Sequence, residues 1–408
     1  MKTQGYAKSD IGLVRPHNED YYICNDKLGL YIVCDGVGGN AAGEVASKTA
    51  AETTQSYISQ HIKDLDDIKE NREAALIKLV EDGIQEACAT VYKLAQENKT
   101  FSGMATTLTL LLIRDSKAVM GHVGDSRLYL KRGESVNQLS NDHTFVNELF
   151  QQGCISEEAL ESSPYANVIT RSIGHEPCVQ VDTLLFDTLP QDLFLLCSDG
   201  FTKELSPKTE LPSLLTTESL KDLPDKLITV ATERGGHDNC TIVIIENTII
   251  DDSTENRSKV EEHTKEVMLR LGTLKQLNLF QSLTLRELLT VMEIISVEQC
   301  PKGTKLITEG AEGSYLYIIL EGEFSVSKCG QHLSTLGSGK HFGEMALLNN
   351  NPRTATVTAE TDGRMLVIEH QSFQRLLTQH SDIGVKLLFR LANELCKRLD
   401  DANLHAIS

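Results

Sequence analysis

The sequence predicts an α+β protein with more than one domain, in which helices and strands are grouped rather than strictly alternating. Short apolar runs rich in β-branched and aromatic residues, many of them ending at Gly, Asp or Asn, predict strands. Two longer segments predict helices, since one is rich in alanine and the other carries apolar residues at three- and four-residue spacing. Strands with helices segregated from them are typical of a layered α+β domain. A length of 408 residues allows two or three such domains.

The first 247 residues contain most of the predicted strands and the two long predicted helices. The helices cover residues 44–62 and 71–98, and a further helical block is predicted at 145–161. The predicted strands are residues 21–24, 30–34, 106–114, 117–123, 127–132, 192–197 and 241–246. We expect this stretch, residues 1–247, to form one domain.

The chain beyond residue 247 has a different pattern. Residues 248–257 are polar and acidic, which predicts a linker, and 258–277 form a helix with one apolar stripe. We expect the linker and helix to cover 248–273 and a last domain to cover 274–400. Within it, residues 315–320 and 323–327 predict a strand, a tight turn and a strand. The pattern recurs at 354–360 and 364–369, and helical sequence follows from residue 372.

Composition excludes several classes of protein. With 40% hydrophobic and 24% charged residues, and no run of about 18 apolar residues, the chain predicts a globular protein without a membrane span. The start of the chain lacks an apolar signal-peptide core. A net charge of −19 argues against nucleic acid or an anionic membrane as a partner. Ten scattered cysteines without a C-x-x-C pair predict reduced thiols, so we expect a cytoplasmic location.

Five aspartates lie beside small, turn-forming residues in separate parts of the first 240 residues: Asp20, Asp35, Asp125, Asp199 and Asp238. Each alone is compatible with an ordinary turn or helix cap. Together, several of them at apparent strand ends, they are difficult to explain as independent turns. Clustered carboxylates raise one another's pKa unless cations lie among them, and all-oxygen ligands favour Mg²⁺ or Mn²⁺. The pattern therefore predicts a metal-dependent phosphoryl-transfer enzyme.

Six motifs, in this order, resemble the metal-dependent protein phosphatases of the PP2C type, bacterial branch, over about residues 5–246. They are Arg15-x-x-Asn-Glu-Asp20, Asp35-Gly-x-Gly-Gly39, Ser102-Gly-Met-Ala-Thr-Thr-Leu108, Gly124-Asp-Ser-Arg127, Ser198-Asp-Gly200 and Asp238-Asn239. The resemblance implies an αββα sandwich with two metal ions in a cleft between its central sheets. It also implies that these ions activate a water that attacks phosphoserine or phosphothreonine without a phosphoenzyme intermediate.

The same resemblance implies a role for each site residue. Asp35 would bridge both ions, Asp199 and Asp238 would complete the first metal site, and the carbonyl of Gly36 would serve the second. Glu19 and Asp20 would hold water ligands of that second ion.

Asp125 with Asp199 matches a third, weaker metal position of bacterial members, and Arg15 matches the phosphate-binding arginine. One position departs from the pattern, because Val37 stands where animal members have a histidine proposed as general acid. His143 is near in motif order, but a structural role is favoured for it and no acid is assigned. Residues 141–180 match the variable flap beside the active site, which is a candidate for substrate selection or a simple surface excursion.

The segment from Phe342 to Val357 carries a second constellation of polar residues. Gly343 allows close backbone approach, and a helical turn near Glu344 would offer N–H groups to an anion. Arg353 can supply the countercharge and Thr354 a hydroxyl group. These residues predict a small pocket for a phosphorylated sugar.

That segment resembles the phosphate-binding cassette of cyclic-nucleotide-binding domains, and the resemblance extends over about residues 274–400. It implies an eight-stranded jelly roll flanked by helices. Glu344 would bind the ribose 2′-hydroxyl, and the cyclic phosphate would be surrounded by Gly343, Ala346, Arg353 and Thr354. Threonine after the arginine occurs in both cyclic-GMP and bacterial cyclic-AMP domains, so the base stays open, with cyclic AMP favoured over cyclic GMP.

We therefore expect a serine/threonine phosphatase that acts on phosphoproteins, uses two or three Mg²⁺ or Mn²⁺ ions and is regulated by a cyclic nucleotide. Two alternatives remain at this stage. The C-terminal domain could serve only for docking or dimerisation, or the whole chain could be a non-catalytic, nucleotide-gated scaffold. The second is disfavoured because no metal-binding acid is missing. The protein substrate, the preferred metal, the oligomeric state and the direction of control are not readable from the residues.

Overall fold

The computed structural model describes residues 2–37, 42–68, 71–216, 219–248, 254–347 and 352–407. The chain divides into two compact units, Met1–Ser258 and Lys259–Ser408. The finer limits at 247 and 273 stay a prediction, and half of the expected linker 248–257, residues 249–253, lies outside the described residues. In the described part of the chain, no helix combines the length and apolarity needed to cross a bilayer.

The first unit contains two antiparallel sheets. Its strands are β1 (Lys2–Asp10), β2 (Asp20–Asn25), β3 (Leu30–Val37), β4 (Ala105–Thr106), β5 (Leu108–Arg114), β6 (Lys117–Val123), β7 (Arg127–Arg132), β8 (Ser135–Gln138), β9 (Asp182–Asp187), β10 (Leu193–Cys197) and β11 (Cys240–Thr248). One sheet has the order β1-β11-β10-β7-β8, and the other has the order β2-β3-β5-β6-β9 with β4 beside β3.

Helices cover the outer face of each sheet. They are α1 (Ala42–His61), α2 (Arg72–Glu97), α3 (Phe145–Gln151), α4 (Glu157–Ser162), α5 (Asp199–Thr202), α6 (Pro207–Leu214) and α7 (Leu223–Glu233), with 3₁₀ turns at Ile62–Asp67 and Lys99–Phe101. Helices α1 and α2 share one apolar core with β3, β5 and β6, whereas α5, α6 and α7 share another with β10 and β11. Between the sheets, Phe186 of β9 and Phe194 of β10 lie 6.0 Å apart. The unit is therefore the expected αββα sandwich.

Close helix–sheet packing explains a glycine in the middle of β6. A Cβ atom at Gly121 would lie 2.6 Å from Val80 and 2.7 Å from Ile84, both on the buried face of α2. Strands β5 and β10 carry large apolar side chains on both of their faces. Both strands are therefore buried along most of their length. Apolar burial of this kind is the main favourable contribution to the stability of the fold.

In the first unit, three strands and the three helices α5, α6 and α7 were not predicted, and one predicted helix is divided in two. Strand β1 is polar and half-buried, and only its pairing along the whole of β11, from Lys2 with Thr248 to Asp10 with Cys240, makes it a strand. Strands β8 and β9 were likewise missed. The helical block expected at 145–161 is two helices, because Gly153 lies between them in a left-handed conformation with φ of 71°.

The second unit is a β roll with flanking helices. Its strands are β12 (Ile295–Cys300), β13 (Lys305–Ile307), β14 (Tyr315–Glu321), β15 (Phe324–Lys328), β16 (Gln331–Leu336), β17 (His341–Phe342), β18 (Thr356–Ala359) and β19 (Gly363–Glu369). Its helices are α8 (Thr254–Gln276), α9 (Leu285–Met292), α10 (His370–Gln379) and α11 (Ser381–Ile407), with a 3₁₀ turn at Glu344–Leu347. The first residues of α8 precede the division between the units.

The eight strands form two four-stranded antiparallel sheets, β12-β19-β14-β17 and β13-β18-β15-β16, as expected for a jelly roll. The strand, tight turn and strand predicted at 315–327 are present, but β14 and β15 do not pair with each other because they belong to different sheets. Gly322, with φ of 98°, carries the chain across the corner, and a Cβ there would lie 2.8 Å from Gly363. Strands β18 and β19 also lie in different sheets, so the tight turns connect the sheets instead of forming hairpins.

A buried ion pair provides a test of the first unit. Arg132 donates to Asp192 at 2.8 and 2.6 Å, and the Asp192 side chain is only 1% exposed. Replacing Asp192 by alanine leaves the guanidinium buried without its partner, so we expect a loss of about 3 kcal/mol in the free energy of unfolding. Urea denaturation measures it, with the exposed Asp82→Ala on α2 as the control, for which a loss under about 0.5 kcal/mol is expected. Equal losses in the two variants would contradict the prediction.

Candidate metal centre and candidate nucleotide pocket

The sandwich brings all five predicted aspartates to one place. Asp20 opens β2 and lies directly opposite Asp35 near the end of β3. Asp125 follows β6, Asp199 begins α5 immediately after β10, and Asp238 precedes β11. Their proximity has an electrostatic consequence, because burial and then the charges of Asp20, Asp199, Asp125 and Asp238 raise the pKa of Asp35 well above its ordinary value.

Backbone contacts fix the loop that carries Asp35. Its N–H donates to Thr107 Oγ1 at 2.9 Å, and its carbonyl accepts from the Thr107 N–H at 2.9 Å. Gly36 donates to the Glu19 carbonyl at 3.1 Å, and a Cβ at Gly36 would lie 2.2 Å from the Gly43 carbonyl oxygen. Only glycine therefore fits beside Asp35. The Glu19 carboxyl reaches the same spot, since a Cβ at Gly43 would be 2.7 Å from Glu19 Oε1.

Two residues inside the predicted motifs have positioning contacts that the sequence did not assign. Ser198 Oγ donates to Asp20 Oδ2 at 2.7 Å while it accepts from the Thr241 N–H at 2.9 Å. Asn239 accepts from the Glu19 N–H at 2.9 Å and donates to the Ile11 carbonyl at 2.9 Å. Ser198 precedes Asp199 and Asn239 follows Asp238 in the motifs, and this adjacency was the sequence signal that could have identified them.

In the described part of the chain, hydrogen-bond donors and positive charges do not fully offset the negative charge of the carboxylates. Burial, with neighbouring Asp199 and Asp238, raises the pKa of Asp20 to about 7, and burial with Asp199 raises the pKa of Asp125 to about 7. Asp20, Asp125 and Asp199 each have a buried oxygen, Oδ1, without a hydrogen-bond partner among the described residues. Divalent cations would satisfy these oxygens and offset the repulsion, so the donor set fits Mg²⁺ or Mn²⁺.

Two protein cations face the cluster. Arg15 Nη2 lies 2.9 Å from Asp238 Oδ2 and is half exposed, as a group that binds an incoming anion needs to be. Lys203, which the sequence did not single out, contacts Asp199 and lies 3.6 Å from Asp238 Oδ2. Burial alone would lower the pKa of Lys203, but Asp199, Asp238 and Asp125 outweigh it and the pKa is raised.

Side chains alone do not complete a metal site. Among the described residues, no three His, Cys, Asp or Glu side chains are arranged to hold an ion by themselves. The Gly36 carbonyl and bound water therefore stay predicted ligands, because Mg²⁺ usually retains several waters. The remaining glycines of the motif, Gly38 and Gly39, lie outside the described residues.

Neither Val37 nor His143 offers a proton at the cluster. Val37 is 48% exposed and apolar. His143 is buried, accepts from the Gly124 N–H at 3.1 Å through Nδ1, and lies 3.4 Å from Asp182 through Nε2. It therefore attaches the start of the 141–180 segment to the loop of Asp125, which agrees with the structural role favoured above.

The second unit contains a cavity of about 400 Å³ at the predicted nucleotide-binding segment. Gly343, Glu344, Arg353 and Thr354 line it, together with apolar side chains such as Val326 and Leu336. The short helical turn expected near Glu344 is present at Glu344–Leu347. The side chain of Ala346 and residues 348–351 lie outside the described part of the chain.

Gly343 and Arg353 are packed against each other. Gly343 has φ of 83°, and a Cβ there would lie 2.7 Å from the Tyr315 carbonyl and 2.8 Å from Arg353 Nη1. Arg353 donates to the carbonyls of Tyr315 at 2.9 Å and Gly343 at 3.3 Å. Burial lowers the pKa of Arg353 from its ordinary value, as expected for a guanidinium that faces a cavity without a carboxylate bonded to it.

Comparisons with known proteins identify a family for each of the two units. The family described as Protein phosphatase 2C matches residues 15–227, and the Cyclic nucleotide-binding domain matches residues 297–380. The serine/threonine phosphatase stp of Listeria welshimeri is 34% identical over 255 residues, covering 60% of this chain and 95% of that protein.

Two solved structures show the same similarity. The serine/threonine phosphatase PstP/Ppp of Mycobacterium tuberculosis is 31% identical with a TM-score of 0.54, over 61% of this chain and 100% of that one. The catalytic domain of PstP in complex with two manganese ions is also 31% identical, with a TM-score of 0.52, over 61% of this chain and 99% of that one. The chain therefore belongs to the protein phosphatase 2C family, as a serine/threonine phosphatase that also carries a cyclic nucleotide-binding domain.

Proposed function

We propose that this protein hydrolyses phosphoserine and phosphothreonine in proteins with Mn²⁺ or Mg²⁺ at the aspartate cluster, and that a cyclic nucleotide in the C-terminal cavity regulates the rate. The observation that carries the first part is the convergence of five aspartates from separate elements with three unpartnered buried oxygens. The second part rests on the cavity at Gly343, Glu344, Arg353 and Thr354.

The resemblance to PP2C phosphatases assigns the residues that would hold the metals, and their proximity supports that assignment. Asp35 would bridge two ions, Asp199 and Asp238 would complete one site, and the Gly36 carbonyl would serve the other. Glu19 and Asp20 would bind water ligands through their carboxylates, and Asp125 with Asp199 would offer a third, weaker position. When bound, such ions lower the pKa of a shared water and neutralise the charge on the phosphate.

The protein groups themselves bind and orient the substrate. Arg15 can exchange its bond to Asp238 for two phosphate oxygens, since a guanidinium matches them in a bidentate geometry. With Val37 apolar and His143 turned toward Gly124, neither residue donates a proton to the leaving group. The 141–180 segment, fixed by the bidentate Arg127–Asp142 pair at 2.7–3.0 Å, presents exposed Phe145 and Tyr165 as candidate contacts for the phosphoprotein.

The two sites are separable by substitution. Asp35→Asn should lower metal-dependent phosphopeptide hydrolysis by about a thousandfold or more, because one shared ligand is lost. Arg353→Ala should abolish nucleotide binding measured by calorimetry, because the cyclic phosphate loses its countercharge. Each variant should leave the other measurement unchanged.

Asp82→Asn, an exposed acid on α2, is the control for loss of one carboxylate. Hydrolysis that survives thorough chelation, or that survives Asp35→Asn, would contradict the metal assignment.

The raised pKa values predict how the metal-free protein responds to pH. Asp20 and Asp125 titrate near 7 when folded and near 3.8 when unfolded, so the folded state binds more protons between these limits. Stability should therefore fall as pH rises from about 4 to 7, lowering the Tm of the first unit by about 3 °C or more. Mn²⁺ should remove this dependence. Thermal unfolding in chelator measures it, and Asp125→Asn, which cannot ionise, should show a shallower slope.

Helix α8 is our candidate for transmitting regulation. Within the second unit, Glu266 of α8 binds Arg364 of β19, and Val267, Leu271 and Leu274 are buried. A ligand changes activity only if it binds one conformational state better than another. The proposed regulation therefore requires that the β roll and α8 change conformation together. We propose cyclic AMP ahead of cyclic GMP, because apolar Val326, Leu336 and Met345 line much of the cavity and offer guanine few partners.

Arg364→Ala should uncouple the two functions. Hydrolysis and nucleotide affinity should each persist, but the ratio of rates with and without cyclic AMP should move toward one because α8 loses its polar contact with β19. Phosphatase assays across titrations of cyclic AMP and cyclic GMP measure the ratio, with Arg375→Ala on α10 as the control.

A wild-type rate and KM unchanged by either nucleotide would overturn regulation and leave a docking or dimerisation role for the C-terminal domain. No measurable hydrolysis with Mn²⁺ would favour the non-catalytic scaffold.

A further inference from the structure

Lys203 occupies an unusual position for a surface lysine. It follows α5, one turn after Asp199, and its ammonium contacts the Asp199 carboxylate and approaches Asp238. The turn that carries it is rigid, because a Cβ at Gly200 would lie 2.1 Å from the Asn239 carbonyl oxygen and Phe201 is fully buried. The side chain is 35% exposed, and its ammonium end contacts the cluster at Asp199.

The ammonium of Lys203 lies beside Asp199, a carboxylate that would serve two of the proposed metal positions. Asp199 is a ligand in the proposed first site and in the weaker third position with Asp125. Of the other basic groups nearby, Arg127 binds Asp142, whereas Arg15 binds the same Asp238 oxygen that Lys203 approaches. Asp125 also stabilises the Lys203 ammonium electrostatically. The ammonium and a third divalent ion would therefore compete for the same oxygens.

We propose that Lys203 is a built-in cation of the acid cluster that competes with the third divalent ion for Asp199 and keeps that position weak. The inference rests on the proposed metal-dependent function and concerns only how many ions bind tightly. An ammonium carries one charge and repels a divalent ion a few ångström away. In the metal-free protein the same ammonium offsets part of the repulsion among Asp199, Asp238 and Asp125.

The test is calorimetric titration of the full-length, metal-stripped protein with Mn²⁺. Wild type should bind two ions tightly and a third weakly, and Lys203→Met should bind the third about tenfold more tightly or more. Thermal unfolding gives a second measurement without catalysis. Metal-free Lys203→Met should unfold at a lower temperature than wild type and gain more from Mn²⁺, because the metal replaces the missing charge.

Two further variants make the result specific. Lys203→Arg keeps the charge and should bind Mn²⁺ as wild type does, whereas Lys208→Met removes an exposed lysine from α6 and should change nothing. Mn²⁺ binding that is identical in wild type and Lys203→Met would overturn the inference while leaving the proposed function intact. Failure of Mn²⁺ to bind either protein would instead overturn the metal site itself.

Discussion

Mutual repulsion among buried aspartates is the constraint on which the rest of the phosphatase unit depends. Carboxylates this close raise one another's pKa, and their cost in the folded state must be offset by the framework or by cations. The framework does part of this. Pairing of β2 with β3 sets Asp20 opposite Asp35, Ser198 donates to Asp20, and Thr107 fixes the backbone of Asp35. The oxygens left without partners define what the site must still bind.

The same constraint explains why glycines adjoin the acids. Gly36 and Gly200 each follow an aspartate at a point where a methyl group would collide with a carbonyl oxygen. Such close backbone approach lets loops from both sheets meet in one small volume, which larger residues would prevent. The αββα arrangement therefore builds the site from both of its sheets. Strand ends from two sheets bring the acids together, and the helices on the outside hold those sheets in place.

The sequence predicted the acids and the long elements well because both have strong local signals. Helices α1 and α2 follow from apolar spacing, and β6 and β7 match their predicted bounds. The polar strand β1 was missed because only its pairing with β11 defines it. Strands β14 and β15 and the tight turn between them were predicted, but their assignment to different sheets was not, because a turn at Gly322 serves equally in a hairpin or at a corner between sheets. Lys203 was missed because its role depends on residues that meet only after folding.

The C-terminal unit poses a different physical problem, since its candidate pocket is lined by a partly buried guanidinium instead of buried carboxylates. Arg353 is bonded only to backbone carbonyls in the contacts described for it, so an incoming cyclic phosphate gains a countercharge by rearranging those bonds. Tyr315, one of those carbonyl partners, begins β14, which pairs with β19, and β19 carries the arginine that binds α8. In the proposed function, anion binding at Arg353 would therefore act on a strand two steps from Glu266. Energetic coupling requires that this chain of contacts has two arrangements that the nucleotide distinguishes.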